Sequence, residues 1–351
     1  MKNYILIICL ILGFISCSQK GDEGMVVLDD NLEKIKGGQI TTIDDDNGVY
    51  TISLIDSMII LQDRANENIF HFYSTNDYRK NFAFGQEGEG PENFSSMPQI
   101  IQSSIKYHKG DGFGFTLFDV NKRVIKKFML NDILDKNYLP RETLRIDAKL
   151  LGGFQLNFLS DRKVIGKDHL NGEGNFFIYD EDQGKKKWID FYPELQIEPV
   201  KGKKAVAYDS FIDVCESEGL IIQAMKFFNR LNFYDLNGNL KKSVLIGEEV
   251  IPDFSKEGTH VIPQDVIYFA MDMYVSDKFV YLLYANMEVG EIFVENGNNS
   301  PFKILKFDME GKFLNEFYLD RQLLCFVVDE NESAFGLSFQ EGVVRLIKYS
   351  L

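Results

Sequence analysis

Residues 84–94 read FGQEGEGPENF, and their composition offers three kinds of chemistry. Alternate glycines are the raw material of a phosphate cradle. Glu87, Glu89 and Glu92 are hard oxygen donors of the kind Ca²⁺ takes. Glycine beside proline is also what a sharp corner needs, because one frees the backbone and the other stops strand pairing. The phosphate reading fails on spacing and charge. The stretch has no P-loop interval, no helical pattern follows it, and its carboxylates repel a phosphate. A corner with Phe84 and Phe94 anchored in the core is the first reading, with ligand contact and a Ca²⁺ site as the alternatives. Lys201, Lys203 and Lys204 form a second cluster. Its ordinary reading is a solvated loop, and its functional reading is a contact to an anionic ligand.

Other local signatures of catalysis are missing. The four cysteines (Cys9, Cys17, Cys215, Cys325) contain no C-x-x-C pair, and the four histidines (His71, His108, His169, His260) no H-x-H or H-E-x-x-H. No G-x-S-x-G nucleophile elbow occurs. Any catalytic carboxylates would have to be assembled from distant strands. Tyr268, Phe269, Tyr274, Tyr281 and Tyr284 crowd one stretch; packing is the default there, and a stacking platform for a sugar or peptide is the alternative. The chain carries 53 acidic against 38 basic side chains, a formal charge of -15. That excess argues against nucleic acid, which is held by displacing counterions with Lys and Arg. It argues equally against broad electrostatic adhesion to anionic lipid.

The first residues are an address. One Lys precedes an apolar run from Ile5 to Ile15, too short for a stable bilayer span and suited to a signal-peptide core. The run ends in Phe14-Ile15-Ser16-Cys17, which resembles the lipobox of bacterial lipoproteins, with Phe14 where Leu is usual. The resemblance implies removal of residues 1–16 and lipid attachment at Cys17. Residues 17–37 are then the lipidated cysteine and a polar tether. Cys215 and Cys325 sit in apolar strand patterns and are expected as buried free thiols.

Short apolar runs broken by turn signals fill the remainder, with no sustained helical periodicity. The segments 176–191, 231–246 and 305–319 are copies of one another: an apolar strand ending in aromatic-Asp (or Phe-Asp), a Gly-containing turn, then a second strand. The Asp can cap the turn and the Gly supplies positive φ. A strand–turn–strand unit precedes each copy. Joined, they make four antiparallel strands, A to D, repeated six times, which is the spacing of propeller blades. The last unit lacks one strand, and residues 38–44 near the N-terminus can supply it. The predicted fold is therefore all-β: a six-bladed β-propeller of four-stranded antiparallel blades over 38–351, its ring closed by an N-terminal strand completing the last blade. With Gly88-Glu89-Gly90-Pro91-Glu92-Asn93-Phe94 and the lipoprotein leader, the pattern resembles the TolB-like six-bladed propeller lipoproteins, relatives in shape of NHL-type propellers. That resemblance implies a fold and is nearly silent on activity.

In such a meander the A–B and C–D turns share one face, and the B–C and D–A connections the other. The long segments fall mostly on the second, with 130–141 as an exception on the first. Long loops on a rigid scaffold are where binding usually sits. The expectation is a non-enzymatic binding or interaction module at the cell envelope, working through the long-loop face. Its partner is a protein, peptide or glycan, with membrane contact through the lipid anchor only, no nucleic acid and no cofactor beyond a possible Ca²⁺. The expected location is the outer membrane, facing the periplasm or the cell surface. The alternative is a propeller hydrolase or lyase with a metal in the central channel, held by inner-strand carboxylates.

Overall fold

The computed structural model describes residues 22–351, except 30–31, 44–48, 64–66, 96–97, 151, 160–161, 169–171, 257–260, 294–301 and 341–342. Cys17 and the leader lie outside the described residues. Strands β1 (Asp22–Val26) and β2 (Gly38–Ile43) precede the first full blade. Blade 1 is β3 (Val49–Ile55), β4 (Met58–Asp63), β5 (Phe70–Ser74) and β6 (Lys80–Phe84). Blade 2 is β7 (Gln99–His108), β8 (Gly112–Asp119), β9 (Val124–Met129) and β10 (Glu142–Arg145). Blade 3 is β11 (Phe154–Phe158), β12 (Lys163–Lys167), β13 (Phe176–Asp180) and β14 (Lys185–Ile189). Blade 4 is β15 (Ser210–Cys215), β16 (Leu220–Met225), β17 (Arg230–Asp235) and β18 (Leu240–Ile246). Blade 5 is β19 (Ile267–Val275), β20 (Phe279–Glu288), β21 (Lys303–Asp308) and β22 (Phe313–Tyr318). Blade 6 is β23 (Cys325–Val328), β24 (Ser333–Gln340) and β25 (Val343–Ser350), and its fourth strand is β2.

The ring is closed as expected. β2 pairs antiparallel with β25, Gly38 opposite Lys348 and Ile43 opposite Val344, so the two ends of the chain share a sheet and cover an otherwise open edge. The inner strands touch in ring order: β3 with β7, β7 with β11, β11 with β15, β15 with β19, β19 with β23, and β23 with β3.

The repeated turns work as their sequences require. Asp235 Oδ1 accepts the amides of Asn237 and Asn239, both at 2.9 Å, and Asp308 Oδ1 those of Glu310 (3.0 Å) and Lys312 (2.8 Å). The glycine in each turn, Gly238 at φ +81° and Gly311 at +70°, occupies the left-handed region where a β-carbon is costly. Aromatic and β-branched residues between the turns pack blade against blade. Phe70, Phe72, Phe84, Phe94, Phe115 and Phe128 fill the seam between blades 1 and 2, and equivalent clusters lie along the ring.

One expectation needs correction. Residues 17–37 were read as a free polar tether, but Asp22–Val26 is a strand, paired in parallel with β18 on the rim of blade 4. The acid Glu23 finds partners there. Glu23 accepts the Tyr192 hydroxyl at 3.0 Å and lies 3.9 Å from Arg230. The chain then runs along the rims of blades 5 and 6. Asp29 N donates to Glu316, Ile35 N to Tyr318 O at 2.7 Å, and Gly37 N to Asp320. Pairing with exposed edge groups outweighs low apolar content, because β18 offers a row of unsatisfied amides and carbonyls.

Three short α-helices and one 3-10 turn (Ala148–Leu150) interrupt the strands among the described residues, the helices being α1 (Leu130–Leu134), α2 (Lys204–Ala207) and α3 (Val289–Phe293). α1 lies in the C–D connection of blade 2, the exception noted from the sequence. Cys215 and Cys325 are free thiols, the first buried and the second partly so.

Candidate functional site

The glycine-rich stretch is a corner, and its polar groups are already spent. It joins blade 1 to blade 2 on the long-loop face. Gly88 N donates to Phe94 O (2.8 Å) and Phe94 N to Gln86 O (2.9 Å), so the loop closes on itself. Gly85 takes φ +82°, and a side chain there would meet the rings of Phe70 and Phe94. Phe84 and Phe94 are buried, as anchors should be. The loop does hold cations, but they belong to this chain. Lys122 Nζ donates to Gly88 O at 2.8 Å. Lys126 Nζ donates to Pro91 O at 2.9 Å and Asn93 O at 2.5 Å, above the Phe94 ring. Burial, with Lys122 close by, pushes the Lys126 ammonium below its ordinary range. Glu87, Glu89 and Glu92 point into solvent.

Lys201, Lys203 and Lys204 lie in the connection from blade 3 to blade 4. Lys204 reaches Glu198 at 3.6 Å, and Lys203 donates to Lys256 O at 3.4 Å. The glutamate and lysine sets therefore sit in different connections. Neither lines either of the two cavities found along the ring's axis. No group of three or more His, Cys, Asp or Glu is placed to hold a metal ion among the described residues.

The larger of those cavities, about 940 Å³, is on the short-turn face. Every blade contributes: Asp56 from blade 1, Tyr107 from blade 2, Phe158 from blade 3, Glu216 from blade 4, Tyr274 from blade 5 and Asp329 from blade 6. The second, about 370 Å³, lies toward the long-loop face and includes Gln62, Asn157 and Asp272. Asp213 and Tyr274 line both, so they form the waist between them. The crowded aromatics of blade 5 divide accordingly. Phe269 and Tyr284 pack between blades, whereas Tyr274 and Tyr281 face the larger cavity.

Two inner-strand carboxyls meet at this waist. Asp213 on β15 is 7% exposed, and its Oδ1 accepts Val214 N at 2.8 Å. Asp272 on β19 accepts Met273 N and Phe326 N, both at 2.9 Å. Burial pushes each up to about 7, and the charge of Asp272 adds to the rise at Asp213. On the long-loop side, Asp209 holds two ammonium groups at 2.6 Å each, Lys167 and Lys226. Burial lowers Lys167 to about 8. Burial also opposes the charge on Lys226, but Asp209 and Tyr268 together raise it.

None of these groups was nominated by sequence. Asp213, Asp272, Lys167, Asp209 and Lys226 belong to different strands or connections, and nothing in their local context marks them. The one available signal was an ionisable residue inside an apolar inner-strand pattern, as in FIDVC and FAMDMY.

Comparison with other proteins places the fold. No curated protein matches the chain in sequence. The crystal structure of a DUF4221-family member from Bacteroides vulgatus superposes with a TM-score of 0.60 at 9% identity, covering 91% of this chain and 98% of that one. The structure of a Bacteroides fragilis protein inferred to be exported superposes with a TM-score of 0.55 at 11% identity, covering 95% and 100%. Both likenesses are of fold. The family model described as TolB-like 6-blade propeller-like matches residues 48–331, most of the chain. The closed six-bladed ring and this match together place the chain in the TolB-like six-bladed propeller family.

Proposed function

We propose that this protein is a lipid-anchored, non-catalytic binding module of the cell envelope, and that it takes its ligand in the funnel on the short-turn face. The observation that carries the reading is the cavity of about 940 Å³ at the ring axis, to which all six blades contribute side chains. Pockets of that size with aromatic walls and a few convergent polar groups are where ligands bind. The long-loop face, favoured from sequence, opens onto the smaller cavity, and the charged cluster beside that cavity, Asp209 with Lys167 and Lys226, is bonded within itself. A protein, peptide or glycan remains the class of partner, entering by a side chain, terminus or sugar unit rather than by a broad flat contact.

The envelope location rests on the leader and on fold similarity to a protein inferred to be exported. No helix among the described residues is long and apolar enough to cross a membrane. If Cys17 carries lipid, five residue steps reach Asp22, where the chain joins the rim of blade 4. An extended chain of that length spans about 17 Å, so the propeller would sit close against the bilayer. Fractionation of cells expressing wild type and Cys17→Ser tests the anchor: the variant is expected in the soluble fraction, and full membrane retention would overturn it. Filling the funnel tests the site. Ser276→Trp and Ser217→Trp, on two rim turns, are expected to abolish capture of the physiological ligand, with unfolding midpoints near wild type. Undiminished capture would refute the funnel.

A further inference from the structure

We infer that the funnel selects a ligand with a positively charged head, an ammonium or guanidinium group, seated against Asp213 and the aromatic walls. This rests on the funnel being the binding site and adds the chemistry it reads.

The argument is an inventory of unspent charge. Among the described residues, seven carboxylates and two lysines line the cavity. Glu216 is paired with Lys106, and Glu332 with Lys306 from the neighbouring blade. Asp329 is turned to the amides of Asn331 (2.9 Å) and Ser333 (2.7 Å). Among the described residues, that leaves Asp56, Asp213, Asp277 and Glu330 facing the cavity, against Lys278. Among the described residues, Asp277 and Glu330 have no ion-pair partner, and Asp56 accepts only its neighbour Ser57 at 3.4 Å. Surface carboxylates in an acidic protein would mean little, but Asp213 is not at the surface. It is more than nine-tenths buried at the cavity floor, and only its Oδ1 is bonded, to the next residue's amide. Its second oxygen has no protein partner among the described residues and borders the lumen. A buried carboxylate without a counter-ion is costly, and a ligand cation would remove that cost.

The cavity wall already shows how it treats a cation. Lys306 is buried beside the funnel, its Nζ 2.6 Å from Glu332, 4.0 Å from the centre of the Phe279 ring and 5.7 Å from that of Tyr281. Carboxylate and aromatic face together make an ammonium site. Asp213 and Tyr274 bring a carboxyl and an aromatic side chain to the floor, close enough for the Asp213 charge to be felt at the Tyr274 hydroxyl, and no lysine among the described residues is paired with Asp213.

Three matched probes separate this inference from the reading beneath it: phenethylammonium, neutral 2-phenylethanol and phenylacetate, titrated into the full-length protein at pH 8 against a detergent blank. The cation is expected to bind at least tenfold more tightly than the anion, with the neutral probe between. Asp213→Asn is expected to bring the three within about threefold of one another. Should that variant not fold, Asp277→Asn with Glu330→Gln is expected to lower cation affinity at least threefold while leaving the neutral probe unchanged. Equal binding of all three probes, each displaced by Ser276→Trp, overturns the charge assignment and keeps the funnel. Absence of binding by any probe overturns both.

Discussion

At residues 85–94, backbone carbonyls of Gly88, Gly90, Pro91 and Asn93 close on the ammonium groups of Lys122 and Lys126. At the channel waist, Asp213 keeps one carboxylate oxygen without a partner among the described residues and borders two cavities. The first region is dense with residues that advertise chemistry, yet its backbone groups are satisfied within the chain and its three glutamates face water. The second is one acid in an apolar strand, and it faces open space. The difference teaches that residue type is a poor guide to function until hydrogen-bond partners are counted. A group already bonded has nothing left to offer a ligand, whereas a buried group left short of partners is held there at a cost by the rest of the fold.

The comparison can be broken most severely through a third region that resembles both. Asp209 is an acid whose side chain is mostly covered, as that of Asp213 is, but it is spent on Lys167 and Lys226 like the loop carbonyls. If spent groups are structural, Asp209→Ala strands two buried ammonium groups and lowers unfolding free energy by about 3–5 kcal/mol, read as a shift in the urea midpoint. A small shift would mean that the cluster is not structural and deserves a functional test.

A smaller effect is expected at the loop. Lys126→Met removes the donor from Pro91 O and Asn93 O and should cost about 1–3 kcal/mol in the same assay. Probe binding in the funnel should not change. A loss of binding with unchanged stability would reverse the roles assigned to the two regions.

The pH dependence of stability sharpens the picture of the waist. Asp213 and Asp272 are raised to about 7 by burial, so between about pH 4 and pH 7 the folded protein holds protons that the unfolded chain has released. Unfolding free energy attributable to these groups is therefore greatest below pH 4 and falls as pH rises through 7. Asp213→Asn should flatten part of that fall, measured as urea midpoints at pH 5 and pH 8. An unchanged slope would mean that the Asp213 carboxyl is not desolvated in solution.

The smallest effect is expected where the sequence looked most functional. Replacing Glu87, Glu89 and Glu92 together by Gln should change stability by no more than about 0.5 kcal/mol per site, because all three face water. It should leave the cation preference of the funnel intact.

The fold was legible because its signals are local. An Asp that caps a turn, a Gly at positive φ and a five-residue apolar run act within ten residues, and repeating them fixed the number of strands and the count of blades. Even ring closure could be read, since blade 6 lacks a strand and residues 38–44 offer one. The rim strand Asp22–Val26 was missed because its partner is 220 residues away and its own pattern is polar; only the exposed edge of β18 gives it a place.

The sequence by itself determined the blade repeat, the closure of the ring and the corner at residues 84–94, because backbone geometry and apolar periodicity are written in neighbouring residues. Only the tertiary structure decided that the wider mouth lies on the short-turn face and that Asp213 stands at the waist between the two cavities, with Asp272 on the long-loop side of it. Which side chains share a cavity depends on how six sheets tilt around an axis. Whether an acid is satisfied depends on groups brought from other blades, and no spacing along the chain encodes either.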